Sequence, residues 1–372
     1  MKSILVLGTG SAQKDIVRYC KENDYYVIAT SNVAGYSAQK LADEFYQVDI
    51  TDAAATAELA RKKNVDFVYS IGSDIAMPTI ASVSKNLGLP CFIDYETAVI
   101  CNHKNELRRV MADKSVEGSI PFQVIESQSD DIHIQFPAMI KPSDSQGQRG
   151  VRKVENAEEV KEHFSETVSF SREKKVIIEP FIDGDEISVN VFLENGNLKF
   201  YLMSDRKVWD EYPGGLIREH IIPSKYEKNV ELSLKIKNMV VHVLEAIGLK
   251  NGPGYFQIKI DTAGEPYLIE VTPRLDGCHM WRAIRYSTGV DLLQASMDLL
   301  EGKQYRQPMD YDIKPYSLEF LCGKPDTIFS RDNYQITENV FLYWYYEEGQ
   351  KINRMNGYFE KCGYVIKKGK TK

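Results

Sequence analysis

Three stretches of this sequence carry residue types and spacings that could handle a nucleotide and its phosphates. Lys141 closes the apolar run PAMIKP and leads into a polar, glycine-containing string, 143–150, before the chain turns apolar again at Val151. A loop of that composition can fold its backbone N–H groups over phosphate oxygens with an ammonium alongside. Taken alone, the string reads equally as a mobile hairpin loop with a solvated lysine. Next come Glu179-Pro180-Phe181-Ile182 and, shortly after, Gly184-Asp185-Glu186. A strand ending in a proline-stiffened linker offers backbone donors and acceptors to an adenine edge, and Glu186 could bond ribose hydroxyls. An ordinary strand end followed by surface acids explains that string as well. Gln257 and Glu270 then lie on two apolar runs separated by Thr262-Ala263-Gly264, with Arg274 four residues beyond Glu270. Oxygen ligands on neighbouring strands can converge on a hard cation, and Mg²⁺ bridging phosphates is held by only one or two carboxylates. A carboxylate in the apolar run LIEV is costly unless paired or bound to metal. An arginine just past it supplies a planar fork for a carboxylate or a moving phosphoryl group.

Other nucleotide signatures are incomplete. Gly8-Thr9-Gly10 follows an apolar strand, but a dinucleotide fingerprint needs a third glycine near Gln13 and an acid ending the second strand. That strand runs out as Ala29-Thr30-Ser31, so no nicotinamide site is expected. No GxxxxGK[ST] string occurs.

The elements that must position these residues divide the chain in three. Over 1–100, strands at 3–7, 25–29 and 66–70 alternate with helical spacing at 12–20 and 53–62, which predicts parallel βαβ units of Rossmann type. From Pro137 the strands (PAMIKP, GVRKV, KVIIEPF, EISVNVFL, KFYLMS) are separated by turns and read as antiparallel, so the middle of the chain is α+β. A long helix is predicted over 227–247, with Gly248 as its C-terminal cap. Two strands joined at 262–264 form a hairpin, and a helix over 290–300 closes this region. The segment 301–372 is β-rich (SLEFLCG, NVFLYWYY, an Asn356-Gly357 turn, GYVIKKG) and is expected to form a small lobe. The expected boundaries are 1–100, 101–300 (divided at 178/179) and 301–372.

Composition narrows the function classes. The 372 residues are 43% hydrophobic and 27% charged, with a net charge of −7, which argues against nucleic acid as the main partner. No signal-peptide pattern or membrane-spanning apolar run is seen, so a cytoplasmic protein without a membrane partner is expected. Six cysteines are scattered with no CxxC pair, and six histidines show no metal-ligand spacing. A homodimer, the commonest closed assembly, is the default.

Occurring in this order with these gaps, the strings resemble the ATP-grasp superfamily, in the branch of carbamoyl-phosphate-synthetase-like and amino-acid-ligase-like carboxylate–amine ligases. The resemblance covers residues 1 to about 300 and rests on MIKPSDSQGQRGV, IIEPFIDGDEISV and GYFQIKID…YLIEVTPRLDG. It implies an ATP-grasp fold over the central region, ATP as substrate and Mg²⁺ or Mn²⁺ as metal. Lys104, in CNHKNELRRVM, and Lys141 correspond to the family's phosphate lysines. Ser143, Ser145, Gln146, Gly147 and Gly150 correspond to its flap. Glu179, Phe181 and Ile182 correspond to the adenine-side hinge, and Glu186 to the ribose acid. Gln257, Glu270 and Thr272 stand at the metal positions, where glutamate is common at the first and asparagine at the third. Arg274 corresponds to the arginine that stabilises phosphoryl transfer. The implied activity is ATP-dependent activation of a small carboxylate as an acyl phosphate, followed by attack of an amine. Arg206, Arg218 and His220, together with Arg274, are candidate carboxylate contacts. An ATP-grasp kinase and a nucleotide-binding regulatory protein are the rival readings.

Overall fold

A computed structural model describes residues 1–145, 147–209, 216–354 and 359–369. Gln146 of the expected flap and the Asn356-Gly357 turn lie outside the described residues. Among the described residues the strands form three sheets.

The first sheet comes from β1 (Ser3–Leu7), β2 (Tyr26–Thr30), β3 (Glu44–Tyr46) and β4 (Phe67–Tyr69), in the order β3-β2-β1-β4. Its pairings are parallel, as the alternation with helices α1 (Gln13–Glu22) and α2 (Ala53–Lys63) requires. Both faces are covered. Leu5 and Leu7 join one core with α3 (Met77–Leu87), while Ile4 and Val6 join another with α1. Helices α4 (Tyr95–Asn102) and α5 (Lys104–Asp113) lead out of this region.

The second sheet, ordered β5-β8-β6-β7, is antiparallel and small. It comprises β5 (Gln123–Ile125), β6 (Ala138–Pro142), β7 (Arg152–Val154) and β8 (Val176–Pro180), packed on α6 (Ala157–Ser169) around Ile140, Val160, Phe164 and Ile178.

The third sheet contains β9 (Gly184–Glu194), β10 (Asn197–Val208), β11 (Ile217–Ile222), β12 (Gly252–Asp261) and β13 (Pro266–Thr272). Helix α7 (Val230–Ile247) covers one face through Ile236, Met239, Val240 and Val243. It starts three residues later than its apolar period suggests, because Asn229 caps it by accepting from Leu232 N, and Lys225–Lys228 forms a separate 3₁₀ turn. The β12–β13 hairpin closes at 262–264, where the Asp261 carboxylate accepts from Ala263 N and Glu265 N.

Helices α8 (Met280–Thr288) and α9 (Leu292–Leu300) follow. The last strands, β14 (Tyr316–Gly323), β15 (Phe341–Trp344) and β16 (Glu360–Lys368), are β-rich as expected. They hydrogen-bond onto β11 and extend the third sheet to the order β13-β12-β9-β10-β11-β14-β16-β15. Their apolar residues Leu318, Phe320, Tyr364 and Ile366 enter the core that β1, α1, α8 and α9 share. The C-terminal segment thus locks the first region against the large sheet.

Candidate active site

The large sheet has one apolar face and one face with a polar band, and the band follows from register. On β9, Ile187, Val189 and Val191 pack under α7, so Glu186, Ser188 and Asn190 point to the opposite side. Across the ladder Gln257 pairs with Ser188 and with Glu270, Tyr255 pairs with Asn190 and Thr272, and Arg206 pairs with His220. Eight expected or newly found polar side chains are thereby set in neighbouring cross-strand rows.

The two lysines expected to meet phosphates sit where this sheet meets the small one. Lys141, at the end of β6, is buried and ion-paired to Glu179 on β8. Arg108 Nε donates to the other carboxylate oxygen at 2.7 Å, and Arg108 Nη2 donates to Ile269 O at 3.0 Å, next to Glu270. Burial pushes the Glu179 carboxyl up, but Arg108 and Lys141 outweigh it and hold it down at about 2. Burial pulls the Lys141 ammonium below its ordinary value, Glu179 opposing and Arg108 reinforcing. The Glu179 side chain therefore organises cations; only its strand backbone is left to serve a hinge. Arg108 escaped the sequence reading, although it stands one helical turn from Lys104 on α5, on a face a motif search could have followed.

Lys104 holds the start of the flap. Its backbone N donates to Ser143 O and its Nζ to Ser145 O, both at 2.8 Å. Ser143 and Asp144 are buried, and Asp144 accepts from Ser171 Oγ at 2.7 Å and from Arg172 N at 3.1 Å. The flap root is thus fixed, and beyond it Gly147 and Gly150 take the left-handed backbone that favours glycine. Ser145 Oγ is buried without a hydrogen-bond partner. Phe181 lies beyond β8 with Lys153 and Lys259 over its ring at 4.7 and 5.2 Å, and Phe181 N donates to Pro137 O at 2.8 Å. Ile182 follows, half-buried.

Glu270 and Gln257 are direct cross-strand partners, both half-buried. Gln257 Nε2 donates to Glu186 at 3.1 Å, which leaves the amide oxygen as a ligand atom. Among the described residues, no hydrogen bond or ion pair engages the Glu270 carboxylate, and Thr272 Oγ1 is buried without a partner. An unengaged carboxylate, an amide oxygen and an idle hydroxyl on adjacent strands suit a hard cation such as Mg²⁺. Glu186 is also ion-paired to Arg206, so Arg206 is occupied holding Glu186 and is only 4% exposed.

Arg274 leaves β13 to meet the first region. Its Nε and Nη2 donate to Asp74 Oδ1 and Oδ2 at 2.8 and 2.7 Å, a bidentate pair buried between two regions. Gly72 N donates to Leu275 O at 3.0 Å, and a Cβ on Gly72 would lie 2.8 Å from Gly277 Cα, so this approach requires glycine at a residue already in left-handed backbone. A second clamp joins the same regions. His279 contacts Asp15 Oδ2 at 2.6 Å and Tyr345 OH at 2.7 Å, stacked on Tyr364 at 4.3 Å, and Trp281 Nε1 donates to the same Asp15 oxygen. Asp74 and Asp15 had no local signal in the sequence; their partners lie more than 190 residues away.

Of the remaining substrate candidates, His220 is fully buried, with burial, then Arg206 and Lys361, driving its imidazole to the neutral form. Arg218 is exposed and stacks over Trp209 at 5.7 Å, apart from the buried band.

Comparison with known proteins bears on the fold and on one domain. Residues 134–281 match the family model of the ATP-grasp domain, a span that includes the flap, the hinge, the Gln257–Glu270 pair and Arg274. Carnosine synthase 1 of Mus musculus is 23% identical over 356 residues, which cover 86% of this chain and 42% of that protein. The chain thus spans less than half the length of that relative. The L-amino acid ligase from Bacillus licheniformis superposes with a TM-score of 0.81 at 18% identity, covering 99% of this chain and 93% of that one. The biotin carboxylase domain of the Hydrogenobacter thermophilus 2-oxoglutarate carboxylase, solved with MgADP, ADP and bicarbonate, gives 0.79 at 18% identity over 99% and 86%. The family match thus places similarity to the ATP-grasp domain on residues 134–281, the span that holds the Gln257–Glu270 strands.

Proposed function

We propose that the protein is an ATP-dependent carboxylate–amine ligase that activates a small carboxylate as an acyl phosphate and joins it to an amine, releasing ADP and phosphate. The observation that carries this reading is the Glu270–Gln257 pair on facing strands, its carboxylate engaged by no hydrogen bond or ion pair among the described residues. Matched relatives named for carboxylate–amine ligation support it.

In this reading ATP lies between the two sheets. Lys104 and Lys141 neutralise phosphate charge already present in the ground state, and the flap 143–150 lays backbone N–H groups over the phosphates. Phe181 and Ile182 border the base and Glu186 the ribose. Gln257, Glu270 and Thr272 would hold Mg²⁺, which when bound supplies charge neutralisation across the phosphates. Arg274, held in plane by Asp74, stabilises charge as the γ-phosphoryl group passes to the substrate carboxylate. The amine then attacks the acyl carbon and phosphate leaves. Little covalent work falls to the protein, which contributes position and preorganised charge.

Two measurements test it. ATP with Mg²⁺ should raise the melting temperature while NAD and NADP leave it unchanged. A matrix of small carboxylates and amines should contain pairs that release phosphate from ATP only when both partners are present. ADP formation without phosphate would point to a kinase, and a shift with ATP but no turnover for any pair would point to a nucleotide sensor.

A further inference from the structure

The polar band carries a second constellation that the ligase reading leaves unused. His220 on β11 is fully buried, and neither ring nitrogen has a hydrogen-bond partner among the described residues. Asp276, in the turn between β13 and α8, is 3% exposed. Its Oδ1 accepts from Met280 N, and its Oδ2 is idle. Cys278 follows two residues later, buried and reduced. One ligand atom from each of the three lies within 4.8 Å of the others. Burying an unsatisfied imidazole and carboxylate oxygen around one point is costly unless something occupies that point.

We propose that His220, Asp276 and Cys278 form a binding site for one zinc-class divalent ion, with three protein ligands and a fourth position open to water or substrate. The donor set decides the ion. Magnesium takes oxygen ligands, whereas an imidazole nitrogen, a thiolate and a carboxylate together select zinc or a close relative. A substrate ammonium group would suit Asp276 and His220, but a cysteine sulfur is a weak hydrogen-bond acceptor and a strong zinc ligand.

The charge around the site closes as well. Arg206 is already paired to Glu186 and Arg274 to Asp74, so the positive charge of each is partly offset by its own carboxylate. One thiolate and one carboxylate offset the two charges of the ion. Lys361 Nζ stands 3.7 Å from Cys278 Sγ and can donate to the metal-bound sulfur, as outer partners of metal ligands commonly do. The sequence hid the site because its three ligands come from a strand and a distant turn, with no ligand spacing between them.

The test uses untagged full-length protein purified under reducing conditions without chelator. About one zinc per chain should be found by elemental analysis, and cobalt replacement should give intense tetrahedral visible bands with a sulfur-to-cobalt charge-transfer band. Cys278→Ser should lose the charge-transfer band, and His220→Ala should lose bound metal. Lys361→Met should keep the site but weaken it roughly 10–100-fold. Should the ligand variants fail to fold, alkylation of wild-type protein supplies the readout, since zinc should protect Cys278 and chelator should expose it. Substoichiometric metal with no charge-transfer band would overturn the proposal. So would unchanged stoichiometry in Cys278→Ser, or protection of Cys278 by simple amines and not by zinc. Each readout is independent of ATP turnover, so the ligase reading stands or falls separately.

Discussion

The phosphate-side cluster and the polar band on the large sheet hold similar residues in opposite states. Around Lys141 the charges are compensated: Glu179 takes Lys141 on one oxygen and Arg108 on the other. On the band, Arg206 Nε, both His220 nitrogens, Asp276 Oδ2, Ser204 Oγ and Thr272 Oγ1 are buried and idle. A charge-paired buried network holds a shape, whereas a row of unpaired groups favours a ligand that completes it; Arg108 Nη1 and Ser145 Oγ, buried without partners among the described residues, are exceptions on the Lys141 side. In the proposed function the first region is scaffold for the nucleotide, and the second is where metal and substrate would bind. Substitutions should therefore cost stability in the first region and turnover in the second.

The largest effect is expected from Glu179→Ala, which strands two buried cations. Removing one partner of a buried pair typically costs about 3–5 kcal/mol. Urea unfolding should show that loss, and adding Arg108→Met should recover part of it by removing one stranded charge. A Glu179→Ala protein as stable as wild type would mean that water reaches the cluster and the contrast between the regions is false.

Arg274→Ala should break the second region. Losing a donor aimed at developing charge costs roughly 10²–10³ in kcat, about 3–4 kcal/mol. ATP affinity by calorimetry should stay near wild type, because Lys104 and Lys141 carry ground-state binding. If ATP affinity falls while the single-turnover rate holds, Arg274 is a nucleotide clamp.

Asp74→Asn sharpens the same point with a smaller effect. The amide keeps one hydrogen bond but loses the bidentate carboxylate that fixes the guanidinium plane. Turnover should fall less than for Arg274→Ala, by roughly 10²-fold or less, since only orientation suffers. A larger loss than that of Arg274→Ala would give Asp74 a role of its own.

Local patterns were legible in the sequence where one element carries the signal. The βαβ alternation, the α7 stripe and the β12–β13 hairpin with its turn all follow from period and turn chemistry, and Gln257 and Glu270 could be put on facing strands from that hairpin. What stayed hidden is long-range. Arg108 reaching Glu179 and Asp74 reaching Arg274 are side-chain pairings between elements whose relative placement no local period encodes. Which sheet the three strands described after residue 315 join was not legible, because their alternation says how they pair and not to which sheet they add. His220 read as a candidate carboxylate contact; the sheet's register turns it into the interior, where it is fully buried.

The smallest effect concerns pH, and it isolates the charge on Glu179. Its carboxyl sits at about 2 in the fold against an ordinary 4.5, held there against burial by Arg108 and Lys141. A depressed folded value means the stabilisation is complete above about 4.5 and drains away as pH falls toward about 2. Other depressed carboxylates, Glu44 and Glu301 among them, drain in the same window, so acid unfolding of the wild type alone cannot report on Glu179. The difference between wild type and Glu179→Gln can. The gap in unfolding free energy should be widest near pH 6, narrow steadily below 4.5, and close as pH falls through about 2, where the wild-type carboxyl becomes neutral like the amide. A gap that keeps its width down to pH 2 would mean that shape and hydrogen bonding at Glu179 matter, and that its charge does not.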